Sequence, residues 1–448
     1  MPNRKQGNRR PRNITRAQRA KQMRIRRIIT SVVVVLVLVL LIVLIAKSCG
    51  KTSTDKDNNN AAKPNATTSA SETDNIGPND VAKKASIVNT GDILIHELLL
   101  DNSKSGDDYA FDKHFEKITP IIKKADYAVA NFEITLGGKK EGKPKNGYTC
   151  FPMFNSPDSV GTALKNAGFD LLLTSNNHCY DTGFNGVKRT VDTLRGMGLK
   201  TTGTRSDLSQ KKYEVVDING IKVGMVNYTY ETPSNSGGKA MNGIEMVKEA
   251  IPYVNSFNEQ KLDVFYSEME ENIKNMKKDG AEAIVLYMHW GTEYQFEPTV
   301  TQKKIAQKMA DMGVDALIGG HPHVLQGSDV IKSDVSGKDM FCIYSVGNAL
   351  SNQRREYMGR YGTGHTEDGI LVYLNFVKYG DGRVELKSVD YTPTWVNRYE
   401  KNGSFTYEIT ALDKMDDIKI NKAEAQKSKA RTDKIVKSGF DKYNALKK

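Results

Sequence analysis

Cysteine is scarce in this chain and widely spread. Cys49, Cys150, Cys179 and Cys342 are the four in 448 residues, and no two have the spacing of metal ligands. That excludes a structural zinc site built on paired cysteines and a small disulfide scaffold. If everything after residue 50 lies outside the cytoplasm, three cysteines fall there, an odd number that leaves at least one thiol over. Cys179, beside His178, reads as a small buried residue. Histidine is also rare, seven in all. No internal repeat of fixed period occurs, which excludes solenoids and propellers. Acidic residues are absent from positions 1–27, which hold eleven of the 65 lysines and arginines. Without that arm, 54 basic residues face 53 acidic ones. The net charge of +12 is therefore a property of the arm, and nothing points to a nucleic-acid partner.

The arm precedes Ile28 to Ala46, IITSVVVVLVLVLLIVLIA, 19 residues without a charge. As a helix this run is ~28 Å long, enough for a bilayer core. A cleaved signal peptide fits less well, because the basic region is long, the apolar run exceeds a usual h-region and no small-x-small site closes it. A lipidated Cys49 is disfavoured by Lys47, which stands where a small residue is needed. The expectation is an uncleaved single-pass anchor. Residues 1–27 then stay cytoplasmic against anionic lipid, and the C-terminal domain is extracellular. Residues 47–83, rich in Thr, Ser, Asp, Asn and Ala, read as a disordered stalk.

From about residue 84 short apolar runs alternate with amphipathic stretches, which predicts an α/β fold. Strands are expected at 86–90, 127–132, 171–175, 283–288, 315–320 and 340–346. Helices are expected at 156–168, 185–198, 263–280 and 299–313. A helix at 111–125 is expected to kink or break at Pro120. Asn219-Gly220 inside 213–230 is a strong hairpin signal, and strands flank Gly380-Asp381-Gly382. These antiparallel pairs predict mixed sheets. Beyond residue 398 the expectation is a charged extension, 399–448, with one helix near 412–438.

The chemistry-bearing residues follow the strands. Asp92 follows 86–90, Glu133 follows 127–132, and Asn176-Asn177-His178 with Asp181 follows 171–175. His289 follows 283–288, His321 and His323 follow 315–320, and Asn348 follows 340–346. In α/β sheets that end gathers ligands. Any one of these residues alone reads as a turn former or a buried polar group. Together they form the donor set of a divalent Mn, Fe or Zn ion. In GGHPH, Pro322 fixes φ and lacks an N–H. Two imidazoles spaced two apart on such a segment suit two adjacent metals better than one.

The order GD…NFE…NNHCYDTG…HWGTEY…GGHPHVLQ…YSVGN, over about residues 85–397, resembles the CapA (PgsA) family of capsule and poly-γ-glutamate biosynthesis proteins. The resemblance implies a calcineurin-like metallophosphoesterase fold, a four-layer α/β/β/α sandwich of mixed sheets. It implies a pair of divalent metals, with Asp92 and His323 on the first, Glu133 bridging, and Asn177, His289 and His321 on the second. His178, with Asp181 nearby, would act as general acid or stabilise the transition state, and His96, Asn131, Glu293 and Asn348 line the site. Two departures stand out: the Asp-x-His opening is absent, with His96 four residues after Asp92, and Asn131-Phe132-Glu133 replaces GD-x-x-D. His365 reads as a surface-loop residue, and Lys139, Lys140, Lys143 and Lys145 as a solvated loop that could face substrate. The implied roles are a metal-dependent hydrolase or transferase, or a non-catalytic subunit that binds an anionic polymer such as poly-γ-glutamate. Membrane-bound synthase or export subunits would be its partners. A plain surface interaction protein fits the histidine set least well.

Overall fold

The computed structural model describes residues 77–448, Asn402 excepted. The arm, the apolar run 28–46 and nearly all of the expected stalk lie outside the described residues. Among the described residues no helix is long and apolar enough to cross a membrane.

Fifteen strands make the two large sheets. In chain order they are β1 (Val81–Ile93), β2 (Tyr127–Phe132), β3 (Leu171–Leu173), β4 (Lys200–Thr202), β5 (Tyr213–Ile218), β6 (Ile221–Tyr230), β7 (Ser256–Phe257), β8 (Ala283–His289), β9 (Ala316–Gly320), β10 (Leu325–Lys332), β11 (Asp339–Val346), β12 (Asn348–Leu350), β13 (Asp368–Tyr379), β14 (Val384–Lys401) and β15 (Ser404–Ala411). The first sheet runs β15-β14-β13-β1-β2-β3-β4, with β12 beside β1. Strands β1 to β4 are parallel there, and β13 to β15 are antiparallel additions. The second runs β7-β6-β8-β9-β11-β10, with β5 beside β6. It is parallel from β7 to β11 and antiparallel at β5 and β10. The expected α/β class with mixed sheets is what the chain adopts.

Period-two alternation distributes the strand side chains. Ile87, Val129 and Leu171 of the first sheet share a buried cluster with Val223, Val285 and Ile318 of the second. Their neighbours Val88, Ala130 and Leu172 join Val160, Ala163 and Leu164 of helix α1 (Ser159–Ala167). Helix α2 (Gly183–Gly196) adds Leu194 to the same cluster. On the second sheet Val226, Leu286 and Leu317 pack with Phe265, Met269 and Ile273 of α3 (Leu262–Lys278) and Ile305 and Met309 of α4 (Val300–Asp311). Spacings of three and four give these helices one apolar face each. Helix α4 starts at a capping box, Thr299 Oγ1 accepting from Gln302 N at 3.1 Å and Gln302 Oε1 from Thr299 N at 2.9 Å.

Local signals translate directly. Asn219 (φ 51°) and Gly220 (φ 80°) form the tight turn between β5 and β6, as a two-residue hairpin with both φ positive requires. The stretch around Pro120 breaks into two four-residue helices, Asp112–Phe115 and Thr119–Ile122. Residues 399–448 contribute more than the single helix the sequence suggests. Strand β14 continues to Lys401, β15 pairs with it along its length, and α5 (Lys422–Leu446) inserts Val436, Phe440 and Tyr443 into the cluster shared by both sheets.

Candidate metal centre

The polar strand ends meet at one place. Asp92, next to last in β1, stands in register with Asn131 of β2 and Asn348 of β12. Glu133 follows β2 directly, its N–H bonded to Ile93 O at 3.2 Å. Asn177 and His178 sit in the turn after β3, anchored by Asn176 Nδ2 donating to Phe132 O at 2.8 Å. His289 ends β8 opposite Gly320 of β9, and the HPH segment continues from there. Two glycines permit this convergence. A Cβ on Gly91 would lie 1.9 Å from Gly347 O, and one on Gly319 2.0 Å from Tyr344 O. His321 (φ 97°) and His323 (φ 56°) both adopt left-handed backbone, which non-glycine residues take only where the surroundings enforce it.

The donor atoms crowd together. His289 Nε2 lies 2.8 Å from Asn177 Oδ1, 3.1 Å from His321 Nδ1 and 3.4 Å from Glu133 Oε1. His323 stands 3.4 Å from Asp92 Oδ2 through Nδ1 and 3.8 Å from Glu133 Oε1 through Nε2. Two buried triplets each place one ligand atom per residue within 4.8 Å of one another: Asp92, Glu133, His323 and Glu133, His289, His321. Glu133 belongs to both. It is 0 % exposed, and neither carboxylate oxygen has a hydrogen-bond donor. A buried carboxylate without a donor carries a desolvation cost, which a bound cation would remove. The donor set therefore fits a divalent metal.

The surroundings tune the site. Burial pushes the Asp92 carboxyl up, but the hydrogen bond and charge of His323, the charge of His289 and the Asn131 amide outweigh it and hold the group below its ordinary value. Asn131 Nδ2 donates to Asp92 Oδ1 at 2.6 Å, and His321 N to Asp92 Oδ2 at 3.1 Å. Burial alone would depress His323, yet Glu133, Asp92 and Glu293 raise it to about 9. Burial, reinforced by His289, His323 and His178, drives His321 well below its usual range. Asn348 Oδ1 lies 3.0 Å from His323 Nδ1. Its amide N–H groups are engaged by Thr366 O at 2.9 Å and Gln353 Oε1 at 3.0 Å, so the amide oxygen must face the ring.

Of the other sequence-predicted residues, His178 joins Asp181 rather than the triplets. Its Nδ1 lies 2.8 Å from Asp181 Oδ2, which also accepts from Phe154 N at 2.6 Å, and the Phe154 ring packs edge-on against it. Burial pushes the Asp181 carboxyl up, partly offset by His178. His96 is in none of the triplets. Its Nδ1 accepts from Asn352 N at 3.3 Å, its ring meets Phe154, and burial, with the charges of His323 and His178, lowers it to about 3. Glu293 stands beside His321 and His323 at the partly exposed side of the cluster. His365 packs on Phe296 away from the cluster. Of the four lysines, Lys145 pairs with Asp101 and Glu97. Cys179 is a buried free thiol, its pKa raised to about 12 by burial. Sequence reasoning missed Tyr230, whose ring centroid is 4.8 Å from that of His321; it ends β6 beside no singled-out residue, so no local signal marked it. Tyr294, the last residue of the HWGTEY segment, lies 6.1 Å from His323.

Imidazoles, carboxylates and amide oxygens buried where parallel strands end define an α/β protein with buried side-chain groups that could hold a metal ion. The family described as Bacterial capsule synthesis protein PGA_cap matches residues 86–353, over half of the chain, and the chain belongs to it. Similar proteins include the PGA biosynthesis protein CapA of Bacillus subtilis, 29% identical over 281 residues, covering 62% of this chain and 65% of that protein. The capsule biosynthesis protein CapA of Bacillus anthracis is 28% identical over 303 residues, covering 65% and 63%. An NAD 5'-nucleotidase of Haemophilus influenzae is 25% identical over 201 residues, covering 43% and 28%. The chain thus spans less than two thirds of the length of each of these relatives.

Proposed function

We propose that this chain is a membrane-anchored, outward-facing hydrolase or transferase of capsule or poly-γ-glutamate production, working through a divalent metal pair. The observation that carries this reading is Glu133, a fully buried carboxylate without a donor, shared by both ligand triplets. Asp92, Glu133 and His323 would hold one ion. Glu133, His289 and His321, with Asn177 Oδ1, would hold the other. Ions held there would supply Lewis-acid polarisation of an electrophile and a lowered pKa for water. The chain's own residues orient and move protons. Asn348 and Asn131 hold His323 and Asp92 in place, and Asp181, fixed by Phe154 N, holds His178 by Nδ1. His178 Nε2 is then the atom that protonates the leaving group.

In this reading the three hydrophobic clusters are the seams of an α/β/β/α sandwich, and the 28–46 run is the membrane span. Mn, Fe and Zn suit the donor set. The substrate is an anionic polymer such as poly-γ-glutamate or a phosphoester; the names of the Bacillus relatives support the first and that of the nucleotidase the second. Synthase or export subunits in the membrane are the proposed partners. One observation favours a second reading, a non-catalytic polymer-binding subunit. His96 is tied to Asn352 and Phe154, so the Asp92 triplet lacks the imidazole of an Asp-x-His opening.

Elemental analysis of the full-length protein, wild type against His321→Ala/His323→Ala, tests the proposal. Phosphodiesterase and γ-glutamyl hydrolysis are assayed on the same samples. Near two metals per chain, lost in the variant together with turnover, is the expected result. Stoichiometric metal without turnover on either substrate class would select the accessory-subunit reading. Absence of metal after Mn, Fe or Zn supplementation would sink both assignments of the histidines.

A further inference from the structure

We propose that Glu293 is a further ligand of the metal pair, its carboxylate reaching it beside His321 and His323 from the solvent side of the Glu133-centred site. The inference rests on the metal-centre reading above and gives Glu293 a role that reading leaves open. One ligand atom each from Glu293, His321 and His323 lies within 4.8 Å of the others. Oxygen and nitrogen ligands sit ~2.0–2.2 Å from ions of this kind, so neighbouring ligands of one ion are ~3.3–3.8 Å apart. The triplet closes on an ion with shifts of at most about 1–1.5 Å, which a glutamate with three rotatable bonds supplies readily. Asp92 and Glu133 are fully buried, whereas Glu293 is half-buried. An ion held by Glu293 is therefore the one nearest to solvent.

The backbone aims the carboxylate there. Glu293 lies in the turn that follows β8, and this turn is bonded to the HPH segment on both sides of His321. Trp290 N donates to Gly320 O at 3.1 Å, and Tyr294 N to Pro322 O at 2.8 Å. Three non-glycine residues in the two joined segments hold positive φ: Tyr294 at 63°, His321 at 97° and His323 at 56°. Each costs on the order of 1–3 kcal/mol, and such costs gather where geometry serves a site. Their shared result is that two imidazoles and one carboxylate converge. His96 gives no imidazole to any of the three triplets, so the additional donor comes from a different strand end.

The alternative is that Glu293 only pairs with a protonated histidine, and metal titration separates the two. Mn²⁺ is titrated calorimetrically into chelator-stripped full-length protein, comparing wild type, Glu293→Gln, Glu293→Ala and Glu133→Gln. Melting of each metal-free protein is followed by circular dichroism. The expected result is that both Glu293 variants melt like wild type without metal but bind one Mn²⁺ fewer, or bind one at least about tenfold more weakly. Their Mn²⁺-induced rise in Tm is correspondingly smaller, and Glu133→Gln loses more. Unchanged stoichiometry and affinity in both Glu293 variants, with binding lost in Glu133→Gln, would overturn the inference and leave the metal centre standing. Absence of Mn²⁺ binding by the wild type would overturn both.

Discussion

Glu133 is where the chemistry and the stability of this protein collide. Glu133 is fully buried, lies 3.4 Å from His289 and 3.8 Å from His323, and neither of its oxygens has a hydrogen-bond donor. Glu133→Gln removes that donorless carboxylate. The expected outcome is a metal-free variant about 1–3 kcal/mol more stable than wild type, with the order reversed in saturating metal; urea denaturation with chelator or with Mn²⁺ measures both. A metal-free variant less stable than wild type would mean the carboxylate is already paired. His114 gives a second residue-scale prediction, away from the site. Burial, partly offset by its bond to Tyr407 O, lowers its pKa to about 4. The folded pKa lies below the unfolded value of 6.5, so its contribution to stability is full above pH 6.5 and is lost as pH falls toward 4. The loss is about 3 kcal/mol. His114→Gln should flatten the acid limb of a stability–pH curve by that amount, and an identical limb would contradict the assignment.

Among elements, the junction of β1 with β12 sets the site. Gly91→Ala would place a methyl group against Gly347 O, and no side-chain rotation relieves a clash with backbone. The variant should lose more than about 2 kcal/mol and bind metal poorly, because Asp92 and Asn348 lose register; equilibrium unfolding and a metal titration on the same protein check this. The strands that carry the site were legible because each is an apolar run ending in one unusual polar residue. The hairpin at Asn219-Gly220 was legible because only a few residues tolerate positive φ. Strand β15, SFTYEITA, was not, since its edge position leaves half of it solvated and its surroundings are charged. The left-handed backbone at His321 and His323 could not be read either, because neither residue favours it and tertiary contacts impose it. Asn348 could be placed at a strand end, but its hold on His323 depends on Thr366 and Gln353, which no local pattern links to it.

For the whole molecule, the C-terminal fifty residues, outside the family match, belong to the core. Phe440 of α5 packs edge-on against Phe341 of the second sheet, ring centroids 4.9 Å apart, within the cluster that unites both sheets. Phe440→Ala should cost about 3–5 kcal/mol in one cooperative transition seen equally by fluorescence and circular dichroism; an early separate transition would mean that α5 is a detachable appendage. Arg431 of α5 also binds the Asp368 carboxylate at 2.7 Å, two residues from the Thr366 carbonyl that orients Asn348. Global packing and the candidate metal site are thus one structure. The most direct test of that centre is anomalous diffraction at the manganese edge from Mn²⁺-soaked crystals. The account predicts two peaks about 3.5–4 Å apart, one among Asp92, Glu133 and His323 and one among Glu133, His289 and His321. A site with protein ligands ordered as described but no anomalous density beside Glu133 would contradict it.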